Sequence, residues 1–232
     1  MHSTLVFTAT YNEVENIEKY LFLTNKHNKN IDILVVDDNS PDKTAIKLLK
    51  LKKKYKNLIV KIREKKLGLD TAHKLAYNFA IRKKYKKLIT MDADLSHDPK
   101  IISKFIKKLD KFEFVIGSRY MPGGKNEMAF HRLLLSYFGN KFIKNILNTK
   151  CTEFTSSYRG FNLNKLLKFN LSLVKSKGYS FFMETIYLIN KNKFKISEIP
   201  IRFQSRKNGK SKIPKIEIFR TLKNLIILYL KN

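Results

Sequence analysis

Acidic residues are scarce: 19 Asp and Glu stand against 48 Lys and Arg, a formal charge of +29 over 232 residues. A field of that sign attracts phosphate-rich partners, whether nucleic acid, anionic lipid or a nucleotide substrate, without choosing among them. Cysteine is scarcer still. The single Cys151 excludes an internal disulfide and a cysteine-cluster zinc site, and a reducing, cytoplasmic setting is expected. The longest unbroken apolar run, residues 225–230, falls far short of the roughly 20 residues of a membrane span. The opening residues lack the basic segment and long apolar core of a signal peptide. Neither Gly-x-x-x-x-Gly-Lys nor Gly-x-Gly-x-x-Gly occurs, which excludes a Walker-type ATPase and a dinucleotide-binding Rossmann site. The five histidines show no paired spacing, so none is assigned a catalytic role.

A hydrophobic content of 43% supports a sizeable core. The apolar stretches at residues 5–9, 31–36, 58–62, 88–91 and 112–117 read as buried strands, and helix-like spacing separates the first four. That alternation predicts parallel βαβ units in one domain, with ligands in the crevice beyond the strand carboxyl ends. The few acids concentrate there. Tyr11, Glu13, Asp37, Asp38, Asp70, Asp92 and Asp94 all fall in carboxyl-end segments, whereas Asp42, Asp98 and Asp37 also suit caps of the following helices.

Residues 88–91 end abruptly in Asp92-Ala93-Asp94. Two carboxylates two positions apart can converge on one hard divalent cation, which favours oxygen ligands and leaves positions for substrate phosphates. A metal-bound, phosphorylated substrate is therefore expected. A nucleic-acid module is the competing reading of the charge with 17 Phe and 11 Tyr, but the aromatics follow core periodicity and the acidic rim would repel phosphodiesters. No nucleic-acid partner is expected.

Ala9-Thr10-Tyr11-Asn12-Glu13, Asp37-Asp38-Asn39-Ser40-Pro41-Asp42, the segment Met91 to Pro99, Gly117-Ser118-Arg119-Tyr120, Glu198-Ile199-Pro200-Ile201 and Arg206-x-x-Gly209-x-Ser211-Lys212 occur in that order. Together they resemble the dolichyl/polyprenyl-phosphate mannosyltransferases of glycosyltransferase family 2. The resemblance implies a single GT-A domain, Rossmann-like with a mostly parallel central sheet, that transfers a sugar from a nucleotide sugar, usually GDP-mannose, to a polyprenyl phosphate with inversion. It further implies that Ala9, Tyr11, Glu13, Asp38, Asp92 and Ala93 face the nucleotide sugar, and that Asp94 with Ser96 holds Mg²⁺ or Mn²⁺. Arg119, Arg132 and Ser136 would hold the acceptor phosphate, and Arg206 and Lys212 would close over the donor diphosphate; Asp92, Asp94 and Arg119 form the catalytic set. The chain departs from the family pattern at Ala9, Asp70, Tyr137 and Ser156. The alternative is a family 2 enzyme that uses another nucleotide sugar of the UDP-glucose type or a surface-glycan acceptor; were the acceptor a sugar hydroxyl, a carboxylate base would be needed, and Asp38, Asp70 and Glu184 are the candidates.

The domain is expected to span residues 1–212, with residues 213–232 forming a basic amphipathic helix. There Ile218, Leu222, Leu225, Ile226 and Tyr229 recur at helical spacing among Lys215, Arg220, Lys223 and Lys231. Such a helix either packs on the sheet or lies on an anionic membrane surface, making the enzyme peripheral at the cytoplasmic face.

Overall fold

The computed structural model describes residues 2–204 and 216–230. Arg206, Lys212 and the expected boundary at 212 lie outside the described residues. The elements run β1 (Thr4–Thr10), α1 (Ile17–His27), β2 (Asp32–Asp37), α2 (Thr44–Lys54), β3 (Leu58–Ile62), α3 (Leu69–Arg82), β4 (Lys87–Thr90), α4 (Ile102–Leu109), β5 (Phe114–Ser118), β6 (Lys125–Asn126), α5 (Phe130–Ile146), β7 (Arg159–Asn162), α6 (Ser180–Lys191), β8 (Ile196–Pro200), β9 (Arg202–Phe203) and α7 (Ile216–Tyr229). Seven strands form one sheet in the order β3-β2-β1-β4-β7-β5-β8, and β6 pairs with β9 apart from it. All main-sheet pairings are parallel except those of β7, which is antiparallel to β4 and β5.

Successive residues of a strand point to opposite faces, and helices cover both faces of this sheet, so its strands read as unbroken apolar runs. Leu5 and Phe7, with Leu34 and Val36, enter one core with Ala72 and Ala76 of α3 and Phe182 and Ile186 of α6. Val6, with Ile33 and Val35, enters the other with Ile17 of α1, Leu48 of α2 and Phe105 of α4. Each fully buried side chain of this size contributes about 1.5–3 kcal/mol over its exposed state.

Ile201, 3% exposed, turns inward between β8 and β9. In the C-terminal helix Leu225 and Leu228 join the α3/α6 core, as the packing alternative expects, while Leu222, Ile226 and Tyr229 stay exposed. Among the described residues no helix is long and apolar enough to cross a membrane.

Candidate active site

Parallel strands leave their carboxyl ends on one rim, and register sets the heights there. Thr10 lies opposite Asp37, Asp37 opposite Ile62, and Phe7 opposite Thr90. The ladder runs one residue further: Asp38 N donates to Thr10 O at 3.0 Å, Arg63 N to Asp37 O at 2.8 Å and Met91 N to Phe7 O at 3.0 Å. Tyr11, Asp38, Arg63 and Asp92 consequently leave adjacent strand ends side by side. Asp37 itself is fully buried and accepts from the Thr10 and Ser40 hydroxyls at 2.8 and 2.6 Å, so it braces the rim and caps no helix. Asp42 and Asp98 do hold helix starts, accepting from Thr44 N at 3.0 Å and Lys100 N at 2.9 Å.

Asp38 faces Arg63, a residue the sequence reading passed over. Arg63 Nε and Nη2 both donate to Asp38 Oδ1. Its remaining donors reach Thr71 Oγ1 at 2.6 Å and Gly68 O at 3.1 Å, while Leu67 N donates to Asp38 Oδ2 at 3.3 Å. The ion pair thereby fastens residues 63–68 over the end of β2, and that segment carries Lys66 Nζ to 4.1 Å from the Tyr11 ring centre. An aromatic face, a carboxylate and two cations meet on one side of the rim. Glu13 is set beside them by α2, its N–H donating to Thr44 Oγ1 at 3.0 Å.

At the end of β4, Leu95 adopts a left-handed φ of 65°, which folds Asp94 back onto Ser96. Asp94 is 3% exposed, and its Oδ1 accepts from Ser96 N at 3.0 Å and Ser96 Oγ at 2.6 Å. Ala93 is buried, whereas the Asp92 side chain is 37% exposed and accepts from Ser157 Oγ at 2.6 Å. His97 accepts from Asp92 N through Nδ1 at 3.2 Å. Burial holds its imidazole below the ordinary range despite the Asp92 and Asp94 charges, so the 3.9 Å separation from Asp92 Oδ2 joins a neutral ring to a carboxylate. The donor set suits a hard divalent cation: two carboxylates and no soft ligand. Among the described residues no three His, Cys, Asp or Glu side chains cluster. A hard divalent cation here would be held by one or two carboxylates and completed by phosphate oxygens and water. Ser96 is fully buried against Asp94 and braces that carboxylate. Gln204, the last described residue before the Arg206 to Lys212 segment, donates to Ser96 O at 3.1 Å.

Across the rim, Arg119 is locked to a residue the motif reading missed. Its Nε and Nη2 reach the two carboxylate oxygens of Glu153 at 2.7 and 2.8 Å, and Nη2 also reaches Thr155 Oγ1 at 2.7 Å. Glu153 is fully buried and the Arg119 side chain 8% exposed. Burial raises the Glu153 carboxyl, but the Arg119 charge and hydrogen bonds outweigh it and hold the group below the usual carboxylate range. The turn after β5 is tight: a Cβ on Gly124 would lie 2.6 Å from the Arg119 carbonyl oxygen. Tyr120 OH donates to Ser136 Oγ at 2.5 Å or accepts from it, joining this turn to α5. Arg132, one turn earlier on α5, is exposed. The structure thus gathers Arg119, Ser136 and Arg132 around one turn and helix, opposite the Tyr11 and Asp38 side.

A mostly parallel α/β sheet with Asp-x-Asp at its carboxyl rim, beside an aromatic and acidic cradle, defines a GT-A glycosyltransferase. Residues 5–168 match the model of Glycosyl transferase family 2. The chain is 35% identical to polyprenol monophosphomannose synthase of Mycolicibacterium smegmatis, covering 90% of this chain and 80% of that one. It is 31% identical to undecaprenyl-phosphate mannosyltransferase of Micrococcus luteus, covering 90% and 86%. Its fold is similar to that of glucosyl-3-phosphoglycerate synthase from Mycobacterium tuberculosis in complex with Mn²⁺, UDP and glucosyl-3-phosphoglycerate, with TM-score 0.68, 15% identity and coverage of 99% and 79%. A mannosyltransferase from Pyrobaculum calidifontis in complex with GDP-Man and Mn²⁺ gives TM-score 0.62, 15% identity and coverage of 99% and 63%. The chain belongs to glycosyltransferase family 2 and is a glycosyltransferase.

Proposed function

We propose that this enzyme transfers mannose from GDP-mannose to a polyprenyl phosphate, with inversion at the anomeric carbon and with Mg²⁺ or Mn²⁺ bound. The observation that carries the reading is the 35% identity, over 90% of the chain, to a relative named for that product. The bond from the anomeric carbon to the donor phosphate breaks, the acceptor phosphate oxygen bonds to that carbon, and GDP departs with the electron pair. Asp94, with Asp92 beside it, would hold the divalent cation, which would supply charge stabilisation to the diphosphate leaving group. Tyr11 stacks on the base, and Asp38, steadied by Arg63, faces the nucleoside with Ala9, Glu13 and Ala93 around it. Arg206 and Lys212 neutralise the diphosphate, while Arg119, Arg132 and Ser136 orient the acceptor phosphate.

A phosphate monoester has a second pKa of about 6 and is largely ionised at neutral pH, so this acceptor needs positioning more than deprotonation. The protein's carboxylates agree with that demand. Asp38 pairs with Arg63, Asp70 Oδ1 accepts from Gly178 N at 3.3 Å, and Glu184 Oε2 accepts from Lys175 N at 3.1 Å and Ser176 N at 2.6 Å. All three candidates for a general base are engaged with protein donors.

The direct test incubates the protein and Mn²⁺ with GDP-mannose or UDP-glucose, each with polyprenyl phosphate or a glycan acceptor, and reads products by mass. Mannosyl-phosphoryl-polyprenol is expected; product from UDP-glucose alone, or from the glycan alone, rejects the proposal. Arg132→Ala is expected to raise the acceptor KM about 10- to 150-fold, the worth of a charged hydrogen bond of about 1.5–3 kcal/mol. The GDP-mannose KM should stay constant, and an equal rise in both constants would place Arg132 on the wrong substrate.

A further inference from the structure

Two motifs of the sequence, Gly117-Ser118-Arg119-Tyr120 and Glu198-Ile199-Pro200-Ile201, meet side by side in the fold. β5 and β8 are parallel neighbours, with Ile116 opposite Glu198 and Ser118 opposite Pro200. The segment before β7 is hydrogen-bonded to both. Thr152 N and Glu153 N donate to Glu198 Oε1 at 2.9 and 3.1 Å, and Thr152 Oγ1 donates to Glu198 Oε2 at 2.9 Å. Ser118 Oγ lies 2.7 Å from Thr152 Oγ1 and accepts from Tyr120 N at 3.1 Å and Met121 N at 3.2 Å. A hydroxyl has one proton to give and two lone pairs to receive with, so these contacts have a direction. An ionised Glu198 only accepts, which commits the Thr152 hydroxyl proton to Oε2. Thr152 Oγ1 must then accept from Ser118 Oγ, whose two lone pairs serve Tyr120 N and Met121 N. The same carboxylate acts on the other end of Arg119. By accepting from Glu153 N it fixes the residue whose carboxylate takes Arg119 Nε and Nη2. What remains of the guanidinium for a substrate is Nη1, whose one hydrogen-bond partner among the described residues is the weak acceptor Met128 Sδ, 3.8 Å away.

We propose that Glu198 is a positioning residue for the acceptor site. Its charge orders a hydrogen-bond chain through Thr152 and Ser118 that sets the Arg119 turn, and its hold on Glu153 N sets the guanidinium, so that Nη1 is aimed from both ends. Glu198 itself touches no substrate in this arrangement. The effect on acceptor use rests on the assignment of Arg119 to the acceptor phosphate; the order of the hydrogen bonds does not.

The test is Glu198→Gln in the full chain, which keeps the shape and reverses the chain. The glutamine carbonyl takes the two backbone N–H groups, but its NH₂ donates to Thr152 Oγ1 and turns the Thr152 proton onto Ser118 Oγ. Three donors then compete for two lone pairs, and one N–H of the turn is released. Hydrogen exchange at the Tyr120 and Met121 amides should quicken about tenfold and the acceptor KM should rise about tenfold, the scale of one hydrogen bond. The GDP-mannose KM and the Mn²⁺-dependent stabilisation by GDP should match the parent. Adding Thr152→Val removes the misdirected proton, so Glu198→Gln/Thr152→Val should recover slow exchange and most of the acceptor KM, whereas mere loss of packing would compound. Ser118→Ala deletes the acceptor of both turn amides and should show the fast exchange and raised acceptor KM with Glu198 intact. Unchanged exchange in Glu198→Gln, or a double variant no better than the single, overturns the proposal; should Glu198→Gln not fold, unchanged exchange in Ser118→Ala overturns it. Exchange that behaves as expected, with the kinetic change confined to GDP-mannose, would leave the Glu198 chain standing and sink only the assignment of Arg119 to the acceptor.

Discussion

Asp94→Asn should fold normally and lose metal-dependent donor binding, with turnover reduced about 100-fold or more, the scale set by removing one preorganised charge-stabilising group. The separation of fold from function follows from the geometry. Asp94 Oδ1 accepts from Ser96 N and Ser96 Oγ, and an asparagine oxygen at that position accepts the same two bonds in the same shape. What the amide lacks is the charge that a hard divalent cation requires of its ligand. The check is thermal stabilisation by GDP with and without Mn²⁺, since a ligand that binds only the folded state raises apparent stability with concentration. The parent should show a Mn²⁺-dependent rise and the variant none. A folded Asp94→Asn protein with unchanged Mn²⁺-dependent turnover would remove the central assignment of the site.

Much of this site could be read from the chain because parallel βαβ units convert sequence order into position. Apolar runs mark β1, β2 and β4, and the polar residues just after each run must lie on one rim, which places Tyr11, Asp38, Asp92 and Asp94 there from the chain alone. Arg63 was open to the same rule, being the first residue after β3, but a lone arginine in a strongly basic chain draws no notice. The far side of the rim was less legible because its residues contradict their polarity. Arg159 is 1% exposed, and its donors reach the carbonyls of Ser156, Phe154 and Phe182 at 2.7, 3.0 and 2.7 Å. Burial lowers its guanidinium pKa to about 9, against the opposing pull of Glu153 and Cys151. Nothing in Arg159-Gly160-Phe161-Asn162 as a sequence gives the antiparallel direction of β7. Only packing explains the glycine: a Cβ at 160 would meet Leu109 Cδ1 at 2.9 Å and Phe105 Cδ1 at 3.0 Å, so these side chains of α4 would have to shift. Glu153 was hidden in the same way, a single acid in a short polar stretch whose partner lies 34 positions earlier.

That partnership yields the largest stability effect expected of any single substitution at this site. Glu153→Gln leaves the Arg119 guanidinium buried without its counter-charge, and removing one member of a buried ion pair typically costs about 3–5 kcal/mol. An amide cannot repair the loss. Glu153 Oε1 alone accepts from Arg119 Nη2 at 2.8 Å, Thr155 N at 3.0 Å, Thr155 Oγ1 at 2.9 Å and Ser156 N at 3.1 Å, while Oε2 accepts from Arg119 Nε at 2.7 Å. Whichever way glutamine is turned, its NH₂ group meets another donor. For a chain of this size the cost corresponds to a melting temperature lower by roughly 6–20 °C. The pH dependence distinguishes this origin from mere loss of packing. Because the folded Glu153 carboxyl lies below its unfolded value of about 4.3, its contribution is fully present above that pH and is lost as pH falls through the folded pKa. The gap in melting temperature between parent and variant should accordingly be constant near neutrality and narrow in acid below about pH 4. Replacing both partners, as Arg119→Met/Glu153→Gln, removes the unpaired charge as well as the pair, while the glutamine carbonyl still accepts from Thr155 N and Ser156 N, and should be less destabilising than Glu153→Gln alone. The double variant should still fail with acceptor, since Arg119 is assigned to the acceptor phosphate. A gap that ignores pH, or a double variant less stable than Glu153→Gln, would show that Arg119 and Glu153 do not act as the buried pair their geometry describes.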